Sequence, residues 1–291
     1  MPAGQTREIK RRIGSVKNIG KVTRAMEAVS ASKMRRAQQA TLRSRAYATR
    51  AAEVMAHLRA QPGGGTKVHP LLQEHPTGRP AIVLITPDRG LTGGLVLNII
   101  RYAVAQARER FGDEVAFVAI GKKGRDFLAR SKSDLVAEFI DMPDGPSILD
   151  VTPIARLVLD GFLGAEFSGI HLINAEFKSV VKQEPTISQL LPLEIPDEVE
   201  VAAADFEYEP SPEALLDEIL PRLVEMRLYQ AILEAQASEH SARMVAMSNA
   251  TRAANELVDD LTLTFNKARQ SDITGEILDI AGGAEALRNS G

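Results

Sequence analysis

The sequence predicts an α/β protein in which a long antiparallel coiled coil of N- and C-terminal helices carries a central Rossmann-like α/β domain. Three observations lead there. No proline interrupts Arg7 to Leu58, where apolar residues recur three or four apart. A second stretch, Leu223 to Ala268, keeps the same spacing with greater regularity. Between them, short β-branched runs alternate with helical ones, the signature of a largely parallel sheet covered by helices.

The first helix is expected over residues 1–60. Ile9, Ile13, Val16, Ile19, Val22, Met26 and Val29 form one narrow apolar stripe, which suits a coiled-coil seam better than the broad face of a globular helix. Gly14 and Gly20 are close-contact points or weak spots, each costing roughly 1 kcal/mol relative to alanine. The helix stops before QPGGGTKVHP, and a linker is expected over 61–80.

The α/β domain is expected over 81–206. Its strands read as AIVLITP from Ala81, EVAFVAIG from Glu114, LVAEFIDM from Leu135 and GIHLINAEF from Gly169, with TISQLLPLEI as a further candidate. Helices are expected near Thr92–Phe111, Lys122–Arg130 and Ser147–Phe167. The last element, 207–291, carries the seam Leu223, Met226, Gln230, Leu233, Ala237, His240, Met244, Met247, Thr251, Ala254, Val258, Leu261, Phe265 and Ala268. Pro221 lies near its start, where a first turn or a kink tolerates it.

Length decides how the two helices are used. About 50 helical residues span about 75 Å at ~1.5 Å each, whereas a globule of this length is roughly 50 Å across. The helices are expected to protrude and to wind around each other.

Charge supports that pairing. The net charge of -3 over 291 residues hides an asymmetry. Arg7 to Arg50 holds thirteen cations against two acids, and Glu213 to Arg288 holds thirteen acids against seven cations. The two ends are complementary. Cysteine is absent, which excludes disulfides and thiol chemistry. No run reaches the length of a membrane span, and the N-terminus has no apolar signal segment, so a cytoplasm-like compartment is expected.

No motif points to catalysis, a cofactor or a metal. TPDRGLTGGL, Thr86 to Leu95, places glycines between a strand and a helix, but as G-x-x-G-G rather than the dinucleotide pattern G-x-G-x-x-G. A tight strand-to-helix turn that uses glycine for backbone reasons is the favoured reading. IGKKG has Ala116 where a phosphate loop needs glycine. The five histidines form no ligand pair at helical spacing. The basic first helix has three readings: a nucleic-acid grip, a solvated charged face, or a surface for acidic protein partners. Against nucleic acid stand the acidic partner helix and the shortage of aromatic residues, Tyr47 being alone in that segment.

Several segments together resemble the γ-subunit family of the F-type ATP synthases. They are REIKRRIGSVKNIGKVTRAMEAVSASKMRRAQ at the start, TPDRGLTGGL, EPTISQLLPL and EYEPSPEALL in the middle, and SARMVAMSNATRAANELVDDLTLTFNKARQSDITGEILDIAGGAEAL at the end. The last contains the family signature as Ile273, Thr274, Glu276, Asp279, Gly283 and Ala284. The resemblance implies a central rotor shaft that stands in a ring of α and β subunits and couples proton flow through a membrane rotor to ATP synthesis or hydrolysis on β. It implies a non-catalytic chain, one copy per complex, with ε and δ subunits and the membrane c-ring as further partners. The location implied is peripheral, on the cytoplasmic face of a bacterial plasma membrane.

Residue by residue, the resemblance places Lys21, Arg24, Met26, Lys33, Arg35 and Arg36 against a β subunit. It puts Arg243, Gln270 and Thr274 at a catch and bearing in the sleeve, and Tyr208 and Glu209 in the foot on the rotor ring. Small residues such as Ala25, Ala28, Ala31 and Ala37 suit a shaft that must not adhere to its sleeve. The sequence departs from the family at Thr92, where many members have cysteine, and at Asn18-Ile19-Gly20, where Asn-Thr-Gln is common. Neither the regulatory cysteine insert of the chloroplast type nor a transit peptide is seen.

Overall fold

A computed structural model of the chain describes residues 4–60, 69–112, 114–194 and 212–289. The elements are α1 (Gly4–Ala60), β1 (Arg79–Ile85), α2 (Leu95–Phe111), β2 (Ala116–Ile120), α3 (Lys122–Ser131), β3 (Asp134–Phe139), α4 (Ile148–Leu163), β4 (Phe167–Ser179), β5 (Lys182–Leu191) and α5 (Pro212–Asn289). The strands stand in the order β3-β2-β1-β4-β5. The first four run parallel, and β5 pairs antiparallel with β4.

Contacts divide the chain into two compact units. One comprises Met1–Val29 with Met244–Gly291, the other Ser30–Arg243. In the larger unit, pleating separates two cores. Ala81, Val83 and Ile85 of β1 and Ala116, Val118 and Ile120 of β2 face Ile154, Val158 and Phe162 of α4 and Leu220, Val224 and Leu228 of α5. The intervening Ile82, Leu84, Phe117 and Ala119 face Leu95, Ile99 and Ala103 of α2 and Leu128 of α3. A sheet covered on both faces needs central strands apolar throughout, and β2 is buried at all five positions. The edge strand β3 instead alternates between exposed and half-buried.

Helix starts and stops follow local chemistry. Ser147 and Asp150 form a reciprocal capping box at α4. That helix ends at Leu163, four residues short of the sequence expectation, because Ala165 turns to φ 57°. Gly161 allows the next strand to return close by, since a Cβ there would lie 2.3 Å from the Phe167 ring. Pro221 lies well inside α5 rather than in its first turn.

In the smaller unit the two helical segments pair antiparallel: Thr6 bonds Asp272, Gly20 lies beside Ala254, and Thr23 bonds Thr251 at 2.7 Å. The α5 seam runs through expected positions, with Met247, Thr251 and Ala254 buried. The α1 seam is corrected. Ile19, Val22 and Val29 are more than half exposed, and the buried line runs instead through Gly20 and Thr23. Ile9, Ile13, Val16, Gly20 and Thr23 keep alternating steps of four and three, whereas Val16, Ile19 and Val22 take two steps of three. Each such step turns about 60° short of a full circle on a helix of ~3.6 residues per turn, so the pair drifts off the seam. Continuing the strict alternation leads to Ser30, Met34, Ala37 and Thr41, all buried. Ala37 therefore faces inward, while Ala25 and Ala28 are exposed.

Candidate functional site

The seam correction leaves a second apolar line on α1. Ile19, Val22 and Val29 are exposed by 54–58%, and Met26 between them is half-buried. They recur at steps of three, four and three, so they form one stripe directed away from the helix's own partner. Lys21 and Arg24, in the same segment, are exposed, as are Arg35 and Arg36 further along α1. Among the described residues none of these four cations is paired with a carboxylate. Lys33 differs, since its Nζ lies 2.5 Å from Asp144.

On α5, Gln270 and Thr274 are exposed. Exposed Ile273, Ile277, Leu278 and Ile280 lie close by in sequence. Tyr208 and Glu209 lie outside the described residues. Arg243 is buried within the larger unit, where its guanidinium donates to Glu239 at 2.5 Å and to the Gly90 carbonyl at 3.4 Å.

The glycine-rich turn after β1 has structural work. The Asp88 carboxylate accepts the Lys122 N–H at 2.9 Å, so it occupies the start of α3. Thr86 Oγ1 accepts the Gly124 N–H, and a Cβ on Gly121, whose φ is +95°, would meet the Thr86 carbonyl oxygen at 1.9 Å. The turn thereby packs against α3, and Gly90 offers its carbonyl to Arg243. No cluster of three or more metal-ligating side chains occurs among the described residues. Nor is any helix among them long and apolar enough to cross a membrane.

His240 is 3% exposed. Its Nε2 lies 3.3 Å from Asp144 and its Nδ1 3.4 Å from the Arg243 guanidinium. Arginine only donates, so Nδ1 accepts and the ring proton sits on Nε2, directed at Asp144. Burial pushes the imidazole down to about 4 against the upward pull of Asp144, with Arg243 and Lys33 adding to the depression. Burial works against the Asp144 charge, yet the hydrogen bond and charge of Lys33, with His240 and Arg89, hold that carboxyl below its usual range. Burial raises Glu239 despite Arg243. Sequence reasoning named Lys33 and Arg243 but missed Asp144, Glu239 and Gly90 as their partners. Asp144 lies in an irregular loop about a hundred residues from both Lys33 and His240, and nothing local marks it.

A family model described as ATP synthase matches residues 5–287. A chain named ATP synthase gamma chain from Herpetosiphon aurantiacus is 51% identical over 97% of this chain and 98% of its own length. The chain belongs to the ATP synthase gamma chain family. Gamma chains of a Roseiflexus species and of Chloroflexus aurantiacus match at 49% and 48%, again over 97% of this chain and 98% of theirs. Among solved structures, the rotor of the Euglena gracilis mitochondrial ATP synthase aligns with a TM-score of 0.62 at 17% identity, covering 94% of this chain and 100% of that one. The same organism's assembly of OSCP, F1 and c-ring gives 0.68 at 19% identity, covering 98% and 95%. At these identities the structural likeness speaks for the fold. Family membership makes the chain a γ subunit, the central rotor stalk of the ATP synthase, and thus part of a membrane-associated complex. None of these names is that of a nucleic-acid-binding protein.

Proposed function

We propose that the paired helices act as a shaft turning within a ring of alternating α and β subunits, one copy per complex, with catalysis on β and none on this chain. The observation that carries this reading is the exposed stripe Ile19, Val22, Met26 and Val29, which the helix pair leaves uncovered although it is apolar. An uncovered apolar line on a helix already paired through another face is suited to a second partner.

In this reading Met26 meets an acidic loop of a β subunit, with Lys21, Arg24, Arg35 and Arg36 supplying positive charge. Lys33 borders them with its own charge balanced by Asp144. Charges of this kind steer and orient a partner more than they bind it. Gln270 and Thr274, both exposed, form the catch and bearing, while Arg243, which the resemblance also places there, is turned inward onto Glu239 and the Gly90 carbonyl. Tyr208 and Glu209 belong to the foot on the c-ring, with ε and δ subunits as further partners. The working boundaries are those of the sequence: helices over 1–60 and 207–291, linker over 61–80 and α/β domain over 81–206. The complex lies on the cytoplasmic face of a bacterial plasma membrane, with this chain peripheral to it.

The mechanism is transferred bias. An asymmetric shaft contacts the three β subunits differently, and each contact favours a different nucleotide affinity. Moving one site from about 1:99 to about 99:1 takes about 5.5 kcal/mol of differential contact free energy, which a stiff shaft with several contacts can supply. Rotation carries the bias around the ring.

Two experiments test this. A tagged chain, purified gently from its own membranes, is expected to bring three α-type and three β-type subunits per copy, and recovery of the chain alone would overturn the reading. In the assembled complex, Met26→Lys is expected to lower proton pumping per ATP hydrolysed, and unchanged coupling would remove the Met26 contact.

A further inference from the structure

The segment Pro143-Asp144-Gly145-Pro146, after β3, is held by one stripe of α5. The Tyr229 hydroxyl donates to the Pro146 carbonyl at 3.1 Å. The Gln236 amide donates to the Pro143 carbonyl at 2.8 Å and accepts the Gly145 N–H at 3.1 Å. His240 directs Nε2 at Asp144 from 3.3 Å. Positions 229, 236 and 240 recur at heptad spacing and so share a face. One turn on, Arg243 donates to Gly90 in the loop after β1. Asp144 also binds Lys33, which adds α1 to the same knot. All these groups belong to the larger unit.

The contacts differ in kind from the core beneath them. Apolar burial is non-directional and holds a helix against a sheet without fixing its rotation about its own axis. Hydrogen bonds are angular, and a helix turned by one residue swings its side chains by about 100° and breaks every one of these. Two prolines fix φ at both ends of the loop, and Gly145 supplies φ +77° between them. The receptor is preorganised.

We propose that the Pro143–Pro146 loop is a rotational lock. Tyr229, Gln236, His240 and Lys33 act as positioning residues that set the phase of α5 and α1 against the sheet, so that torque passes between helices and α/β domain through this loop. The mechanical consequence rests on the shaft reading above, whereas the lock can be examined on the chain itself.

The test uses two variants of the complete chain. Tyr229→Phe with Gln236→Ala removes the neutral hydrogen bonds, and Asp144→Ala removes the charged arm. Amide hydrogen exchange is expected to quicken in residues 140–147 while the thermal melt of the chain persists. In reassembled complexes, ATP hydrolysis is expected to stay within about twofold of the parent while pumping per ATP falls about fivefold. Asp144→Asn, which keeps an acceptor for Lys33 and His240, should retain most of the coupling. Faster exchange with unchanged pumping per ATP would overturn the role in torque. Unchanged exchange would overturn the lock. A parent chain that fails to drive pumping would overturn the shaft reading, leaving exchange to decide the lock alone.

Discussion

The helical pair of the smaller unit and the sheet of the larger one bury their interiors by opposite means. Around the sheet the interior is made of large side chains, with Phe162, Phe167, Ile154 and Ile170 fully buried. Along the seam Ile9 and Met247 are buried too, but where the helices come closest it is made of Gly20, Thr23, Thr251 and Ala254, and two threonine hydroxyls meet there at 2.7 Å. Each hydroxyl also has a carbonyl on its own helix, Gly20 for Thr23 and Met247 for Thr251, so neither is left unsatisfied when one donates to the other. Large cores gain from area removed from water, whereas small seams gain from close backbone approach and give a slender, stiff pair. The first kind should fail when volume is deleted, the second when volume is added.

The largest effect expected is Phe162→Ala, which leaves a cavity between α4 and the sheet and should cost about 3–5 kcal/mol by urea denaturation.

The next separates the charged knot from both. The His240 pKa is depressed to about 4, so the unfolded chain binds the extra proton first as pH falls. The stability due to keeping this ring neutral is complete above its unfolded value near 6.5 and is lost as pH drops toward 4, by up to about 3 kcal/mol. Asp144, also depressed, adds loss in the same direction at still lower pH, while Glu239, raised by burial, opposes it. His240→Gln should flatten the slope of unfolding free energy between pH 6.5 and 4, and an unchanged slope would remove the assignment.

Gly20→Leu sharpens the contrast at the seam. A Cβ at Gly20 already touches Ala254 Cβ at 3.5 Å, so a full leucine overpacks and should cost about 1–3 kcal/mol in the same assay. The opposite substitution at Phe162 removes atoms and is worse. The smallest effect is a gain. Nothing lies within 4 Å of a Cβ added at Gly14, and Gly14→Ala should raise stability by up to about 1 kcal/mol through helix propensity alone. A loss there would show a contact on that face.

Most of the α/β domain was legible in the sequence because burial on both faces demands continuous β-branched runs. Strands found at Ala116–Ile120 and Phe167–Ser179 fall on expected runs, with ends moved by a few residues. The α5 seam was equally plain, since its alternating steps of three and four run unbroken through the polar entries Gln230, His240 and Thr251. On α1 the large apolar residues leave that alternation after Val16. Hydrophobicity pointed to Ile19 and Val22, whereas geometry selected Gly20 and Thr23, because a closely approaching partner rewards small size rather than apolar area. That misreading is also what exposes the candidate surface.

The sequence by itself determined the two long helices, the strand and helix alternation between them and the family to which they belong, because periodicity and turn residues act over a few neighbours. Only the tertiary structure decided which stripe of α1 faces inward and which outward. It alone joined Lys33, Asp144, His240, Arg243 and Gly90 into one knot. Lys33 and His240 each lie about a hundred residues from Asp144, and Arg243 lies 153 from Gly90, so their meeting depends on where β1 and β3 end in the sheet, which no local pattern encodes.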